Sequence, residues 1–128
     1  MASTVVIVVI PDVGDALDEL TLRGPVWLAA TDENRVTAHR VRQRYPERSI
    51  TTFTISPGMP PESQVLGVLP DVELHHGPSS QVPPWDRLEI QGTSITSALR
   101  SALEEFGATS FRDVAGGFQA VRSSDRAA

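Results

Sequence analysis

Acidic residues follow the first two predicted strands of the chain, at the position where an open α/β sheet binds its ligands. Asp12 and Asp15 come after the first apolar run, and Asp32 comes after the second. Together with the later histidine His76, these side chains have the chemistry to hold Mg²⁺ or Mn²⁺ for phosphoester hydrolysis. Their spacing matches no established metal motif. A small metal-dependent hydrolase or phosphoesterase is therefore the alternative interpretation.

The same acids also suit a structural role at the start of helices. A carboxylate there accepts hydrogen bonds from free backbone amides and lies at the positive end of the helix dipole. Asp12 and Asp15 precede one predicted helix, and Thr31 and Asp32 precede the next. The sequence therefore favours helix caps over metal ligands, and it predicts no cofactor.

Other residues have the chemistry to contact a partner protein. Trp85 directly follows a Pro-Pro pair, and a tryptophan beside rigid prolines offers a large contact area. Arg35 and Arg42 share one face of an arginine-rich helix that can bind an acidic group. His75 and His76 end a predicted short strand, where neighbouring side chains point to opposite faces and cannot chelate one ion. The predicted partner-binding residues are Trp85, His75, His76, Arg35 and Arg42.

Residue types that are missing exclude several catalytic chemistries. The chain has no cysteine, and its 11 basic residues are all arginine. This removes thiol nucleophiles, thiolate metal sites and lysine Schiff bases. Neither a glycine-rich phosphate loop nor a G-x-S-x-G nucleophile motif is present. The leading interpretation is therefore a non-catalytic binding protein.

Composition narrows the partners further. The chain has 128 residues and a formal net charge of −5, which favours a basic protein as partner over nucleic acid or an anionic membrane. No apolar run approaches the roughly 18 residues of a membrane span. Because no export signal follows the apolar N-terminal run, we expect a cytoplasmic protein.

Apolar runs and helical spacings predict the elements that must position these residues. Strands are predicted at residues 4–10, 26–30, 50–55 and 85–91. Helices are predicted after the first two strands and, most clearly, from a cap at Thr93 or Ser94 to Phe106, where apolar residues recur every three or four positions. Gly116 and Gly117 suit a tight hairpin between residues 111–115 and 118–122.

Residues 56–84 contain seven of the ten prolines. Proline lacks the backbone donor that a helix interior needs, so this segment is predicted to be an irregular insertion. Within it we expect two helical turns at 62–69, a short strand at 72–76, and otherwise loop. Long loops often carry specific function.

The order of elements predicts an α/β protein in which two or three layers surround a mixed, largely parallel sheet. A ferredoxin-like α+β fold is the alternative. We predict one domain over residues 1–122 and a frayed tail at 123–128, and either the edge near residues 50–55 or the terminal hairpin can pair two copies into a homodimer. The predicted function is that of a small acidic protein that binds or regulates another protein without catalysis, such as a bacterial immunity-type partner of a basic protein.

Overall fold

A computed structural model describes residues 4–74 and 85–122 of the chain. Its strands are β1 (Thr4–Val8), β2 (Val26–Ala29), β3 (Ile50–Phe53), β4 (Arg87–Gln91), β5 (Ala108–Val114) and β6 (Gly117–Arg122). Its helices are α1 (Ala16–Arg23), α2 (Asp32–Arg44), α3 (Pro61–Leu74) and α4 (Ser97–Glu105). None of these helices is both long and apolar enough to cross a membrane.

The six strands form one mixed sheet in the order β3-β2-β1-β4-β6-β5. Strands β1 to β4 pair in parallel, whereas β6 runs antiparallel to β4 and β5 antiparallel to β6. This confirms the predicted α/β class. The ferredoxin-like alternative is wrong, because a helix lies in each connection between β1 and β4 and returns the chain to the same end of the sheet.

The continuous apolar run of β1 is explained by burial on both of its faces. Val5 and Ile7 belong to a buried cluster with residues of α3 and α4. Val6 and Val8 belong to a second cluster with residues of α1 and α2. Successive strand residues point to opposite faces, so a strand covered on both sides has no polar position.

The second cluster covers only half of its sheet face. It includes residues of β1, β2 and β3 but no described residue of β4, β5 or β6. On this face, the strands beyond β1 carry Arg87, Glu89 and Gln91 on β4 and Gln119 on β6. This one face of the sheet is therefore apolar over β3, β2 and β1, and polar over β4 and β6.

The proline-rich segment contains a longer helix than the two turns predicted at 62–69. Helix α3 spans 14 residues and includes Pro70, so the predicted irregular insertion is wrong over this range. Pro61 is its first residue, where a missing N–H is harmless. Its buried residues include Val65, Leu69 and Val72. Their burial offsets the hydrogen bond that Pro70 cannot make, and the predicted strand at 72–76 is helical as far as Leu74.

The C-terminal half follows the predicted pattern with one shift. Residues Leu88 and Ile90 lie on the buried face of β4, and β5 and β6 form the expected hairpin. Helix α4 begins later than predicted, because Thr96 and not Thr93 or Ser94 caps it, accepting a hydrogen bond from the Leu99 amide at 3.2 Å. The predicted tail at 123–128 lies outside the described residues.

Candidate functional site

The acids that follow β1 and β2 do not cap the helices. Asp15 precedes α1 but makes no side-chain cap hydrogen bond, and Asp12 is exposed. Thr31 caps α2, since its hydroxyl accepts a hydrogen bond from the Asn34 amide at 3.1 Å. Asp32 is the first residue of that helix and has an exposed side chain. The cap predicted at Thr31 or Asp32 is therefore confirmed at Thr31, whereas Asp15, at the N-cap position of α1, makes no cap hydrogen bond with its side chain.

The acids also form no metal site in the part of the chain that the structure describes. Among those residues, no group of three His, Cys, Asp or Glu side chains could hold a metal ion, so Asp12, Asp15 and Asp32 do not converge. His76 and its neighbour His75 lie outside the described residues. The donor set that Mg²⁺ or Mn²⁺ requires is not assembled by the described acids.

The side chain of Asn34, and not one of these acids, makes hydrogen bonds with the backbone that follows β1. Asn34 is fully buried, and its Oδ1 accepts a hydrogen bond from the Val13 amide at 2.9 Å. Its Nδ2 donates to the carbonyls of Ile10 at 2.7 Å and Ala29 at 2.9 Å. One side chain thus joins the segment after β1 to the end of β2. The available signal was an asparagine in the otherwise apolar buried stripe of α2.

Trp85 is not presented at the surface. It is fully buried, its indole Nε1 donates to Oε2 of Glu73 at 2.7 Å, and the Arg122 guanidinium lies 3.6 Å from its ring centroid. Burial removes the contact area that a partner would need. The predicted role as an exposed anchor is therefore corrected to one in the core, where Glu73 satisfies the indole N–H.

The two arginines predicted to bind a partner have different environments. The Arg35 side chain is 61% exposed and lies 3.9 Å from Asp32. Arg42 donates from Nη2 to the Ile50 carbonyl at 2.8 Å and so helps to attach α2 to β3. Both residues are exposed, but Arg42 is held by its hydrogen bond to the backbone, whereas the Arg35 side chain pairs with Asp32 of its own helix.

A crevice lies at the carboxyl ends of β1 and β4, where the chain's strand order changes direction. It has a volume of about 720 Å³ and is lined by Ile10, by the segment after β4 and by the β5–β6 turn. Gly92 has a φ of +113°, and a Cβ there would lie 2.8 Å from Cγ2 of Val9. Asp113 is the one charged residue among the described lining, so the crevice lacks a paired acid and base.

The crevice is also poorly suited to an anion. The N-terminus of α4 is next to it, and a helix N-terminus normally attracts negative charge. Here the Thr96 hydroxyl is hydrogen-bonded to the Glu62 carboxylate, which already brings a negative charge to that end. Asp113 adds a second one.

The strongest interaction feature is the free edge of the sheet at β5. This seven-residue strand pairs with β6 and is one of the two outer strands among those described; the other, β3, has four residues. Thr109, Ser110, Arg112 and Asp113 are exposed along it. An edge strand presents backbone N–H and C=O groups that another strand can pair with.

A small cavity of about 200 Å³ adjoins this edge. Ile95, Phe111 and Phe118 provide its apolar wall, and Arg100 lies 4.9 Å from the Phe111 ring centroid. The cavity is on the face covered by α4. Arg112 is the β5 residue paired with Gln119 of β6, and the side chains of this pair lie on the opposite face of the sheet.

A polar row fixes Arg112. Glu89, Gln119 and Arg112 are register neighbours across three strands. The Arg112 Nε donates to Oε1 of Gln119 at 3.1 Å, and the Gln119 Nε2 donates to Oε1 of Glu89 at 3.2 Å. Arg23 and Gln91 bind the other Glu89 oxygen.

The protonation state of Glu89 follows from these contacts. Burial raises the pKa of the Glu89 carboxyl, but hydrogen bonds from Arg23, Gln91 and Gln119 and the charge of Arg23 outweigh it, so the pKa lies below its ordinary value. Glu89 is therefore a carboxylate at neutral pH, and it holds the side chains of the row in place.

Comparisons with protein-family models, with curated proteins and with solved structures found no match for this chain.

Proposed function

We propose that this chain is a non-catalytic protein-binding protein that captures an extended segment of its partner as an added strand beside β5. The observation that carries the proposal is the combination of a free seven-residue edge with an apolar cavity next to it. In strand addition, main-chain hydrogen bonds supply affinity, and pockets for alternate side chains supply specificity.

The side chains at this edge indicate the chemistry of the segment. The cavity suits an apolar side chain, and Arg100 and Arg112 favour acidic side chains on either face. Asp113 also lies at this edge, so the acidic positions must fall beside the arginines. A segment that alternates apolar and acidic residues meets these requirements. The local charge thus differs from the net charge of −5, which had favoured a basic partner.

The charge of Arg112, in the middle of β5, favours partner capture over self-pairing. Like charges repel when two copies pair, whereas an acidic partner is attracted to the arginine. The irregularity between Ala108 and Ser110 limits pairing at that end of β5 for either kind of strand. A homodimer through this hairpin or near residues 50–55 is the competing outcome that the experiment must detect.

The predictions about layers, domain boundaries, alternative function and location are compatible with this proposal. We infer that the sheet is the middle of three layers over β1 and β2, where both clusters cover it, and that residues 1–122 form one domain. The hydrolase alternative has less support, because the described acids do not form a metal site. Arg35 remains a second candidate contact because of its exposure. A cytoplasmic location remains a prediction.

The test uses synthetic peptides and amide-resolved NMR. The probe is a capped heptapeptide that alternates valine with glutamate, and its control alternates valine with lysine. We expect the acidic peptide to shift the amide signals of β5 and to slow their hydrogen exchange, because added strands satisfy the outward N–H groups. Arg112→Glu should weaken binding, whereas Arg87→Glu, on β4 and away from the edge, should not.

Two results would contradict the proposal. One is a β5 amide spectrum that stays unchanged up to the highest soluble concentration of each peptide. The other is sedimentation of the chain as a dimer whose β5 amides are already protected, which would assign the edge to a second copy.

A further inference from the structure

A second cavity lies at the opposite edge of the sheet, between β3 and α3. It has a volume of about 380 Å³, within the roughly 300–1,000 Å³ of small-molecule sites. Trp27, Phe53 and Val68 line it with apolar surface, and Met59 lies in its wall. The cavity is built on different strands from the β5 edge and is independent of the proposed function.

One buried polar atom in the cavity wall has no partner. Gln64 lines the cavity and is only 8% exposed. Its Nε2 donates to the Met59 carbonyl at 2.9 Å, which fixes the orientation of the amide. Its Oε1 is buried and accepts no hydrogen bond from any described residue. A buried acceptor left unpaired is unfavourable, so this position favours a ligand that carries an N–H or O–H donor.

The charge at the cavity selects among such donors. Asp71 lines the cavity two helical turns after Gln64, and residues at this spacing share a face of α3. Asp71 is the one charged residue among the described lining, which includes no arginine or histidine. Both features favour a positively charged donor and disfavour an anion.

We propose that this cavity binds a small apolar molecule with a protonated amine. The apolar part packs against Trp27 and Phe53, and the ammonium group faces the Asp71 carboxylate. Because Oε1 of Gln64 is itself buried, the ammonium donates to it once the Gln64 side chain turns toward the ligand. The class is that of arylalkyl amines.

The chain offers a matched pair of variants for the test. Gly67 lies on α3 and lines the cavity, and a Cβ added there meets no atom within 4 Å. The backbone therefore accommodates a Cβ at this position, and Gly67→Leu should place a larger side chain at the cavity, where it competes with a ligand. Gly67→Ala is its control, because both residues favour the helix over glycine but only leucine occupies the space. Folding of each variant is checked by its unfolding transition.

The experiment titrates 2-phenylethylamine and follows the side-chain NH₂ signal of Gln64 together with the tryptophan fluorescence, to which Trp27 in the cavity wall and the buried Trp85 both contribute. We expect saturable binding with a Kd on the order of 1 mM, as suits so small a probe. Binding should persist in Gly67→Ala and be lost in Gly67→Leu. Gln64→Leu and Asp71→Asn should each weaken it by about tenfold, as expected for a hydrogen bond to a charged group.

Ethylbenzene and phenylacetate identify what is recognised. The proposal requires that both bind at least about tenfold more weakly than the amine, since neither can donate as an ammonium. Equal binding of phenylacetate would overturn the proposed ligand class. No saturable response to the amine at about 10 mM, in protein that remains folded, would overturn the site itself.

Discussion

The guanidinium of Arg23, the last residue of α1, forms an ion pair with the carboxylate of Glu89 in the middle of β4. The two residues are 66 positions apart. The Glu89 side chain is 1% exposed and that of Arg23 is 41% exposed. This pair lies where the apolar half of the sheet face ends, and it joins the helix that covers β1 to the polar row that leads to the proposed binding edge.

Replacing Arg23 with methionine should destabilise the protein by about 1–3 kcal/mol. Removing one partner of a fully buried pair costs about 3–5 kcal/mol, and the partial exposure of Arg23 reduces this cost. Urea denaturation measures the effect. Glu19→Gln is the control, because Glu19 is exposed and 4.0 Å from Arg23, and its removal should change stability by less than about 0.5 kcal/mol. Equal effects of the two variants would show that Arg23 acts only as a surface charge.

The stability that Glu89 contributes should depend on pH in a defined direction. Its folded-state pKa lies below the ordinary value of 4.5. The carboxylate therefore contributes its full stability above pH 4.5, and this contribution is lost as the pH falls through the folded-state pKa. We expect the stability difference between the native chain and Glu89→Gln to be constant near neutral pH and to shrink in acid. Urea midpoints measured from neutral to acidic pH test this. A difference that grows in acid would mean that the pKa is raised.

Asn34→Asp should be far more damaging than its small change in shape suggests. The variant keeps an acceptor for the Val13 amide but loses the donor to the carbonyls of Ile10 and Ala29, and it places a negative charge beside them. The Ile10 carbonyl then loses this donor, and the Ala29 carbonyl keeps only the hydrogen bond from the Thr31 amide at 3.0 Å. An unpaired buried acceptor costs about 1–3 kcal/mol, and the buried charge of the new carboxylate adds to this cost. We expect a loss of about 2–5 kcal/mol in urea denaturation.

Asp12→Asn is the matched control for this prediction. Asp12 is exposed and belongs to the same segment after β1, so its substitution should change stability by less than about 0.5 kcal/mol. A larger effect for Asp12 than for Asn34 would restore the acid as the residue that organises this segment.

Local patterns were sufficient to predict most of the sheet. The β-branched run of β1, the apolar segment of β2 and the C-terminal hairpin each depend on neighbouring residues, and the structure confirms them. The hairpin turn is formed by Ala115 and Gly116, since Gly117 already belongs to β6. The parallel orientation of β1 to β4 also follows, since helices between strands return the chain to the same end of the sheet. These features need no knowledge of distant contacts.

The site residues could not be predicted in the same way, because long-range contacts decide them. Trp85 beside two prolines has the composition of an exposed anchor, yet Glu73 of α3 and Arg122 of β6 enclose it. That Asn34 joins the segment after β1 to the end of β2 depends on how α2 packs on the sheet. The free edge at β5 depends on which strand ends the sheet, and spacing along the chain does not contain this information.

Pro70→Ala should stabilise the protein by about 1–3 kcal/mol. Proline in a helix interior costs about 3 kcal/mol, because it removes the hydrogen bond to the carbonyl four residues earlier, here that of Leu66. The greater entropy of the unfolded alanine chain offsets about 0.4–1 kcal/mol of the gain. Pro70 is exposed, so alanine leaves no cavity. Urea or thermal unfolding measures the difference.

Pro61→Ala provides the comparison within the same helix. At the first helical position proline is favourable, so this variant should be neutral or slightly destabilising. If Pro70→Ala instead destabilises the protein, the backbone conformation that proline imposes at this position is needed for packing. The next residues of α3 include Val72, which is buried in the core, and Glu73, which accepts the hydrogen bond from the Trp85 indole. A loss of stability that disappears when Trp85→Phe is also present would locate the requirement in that contact.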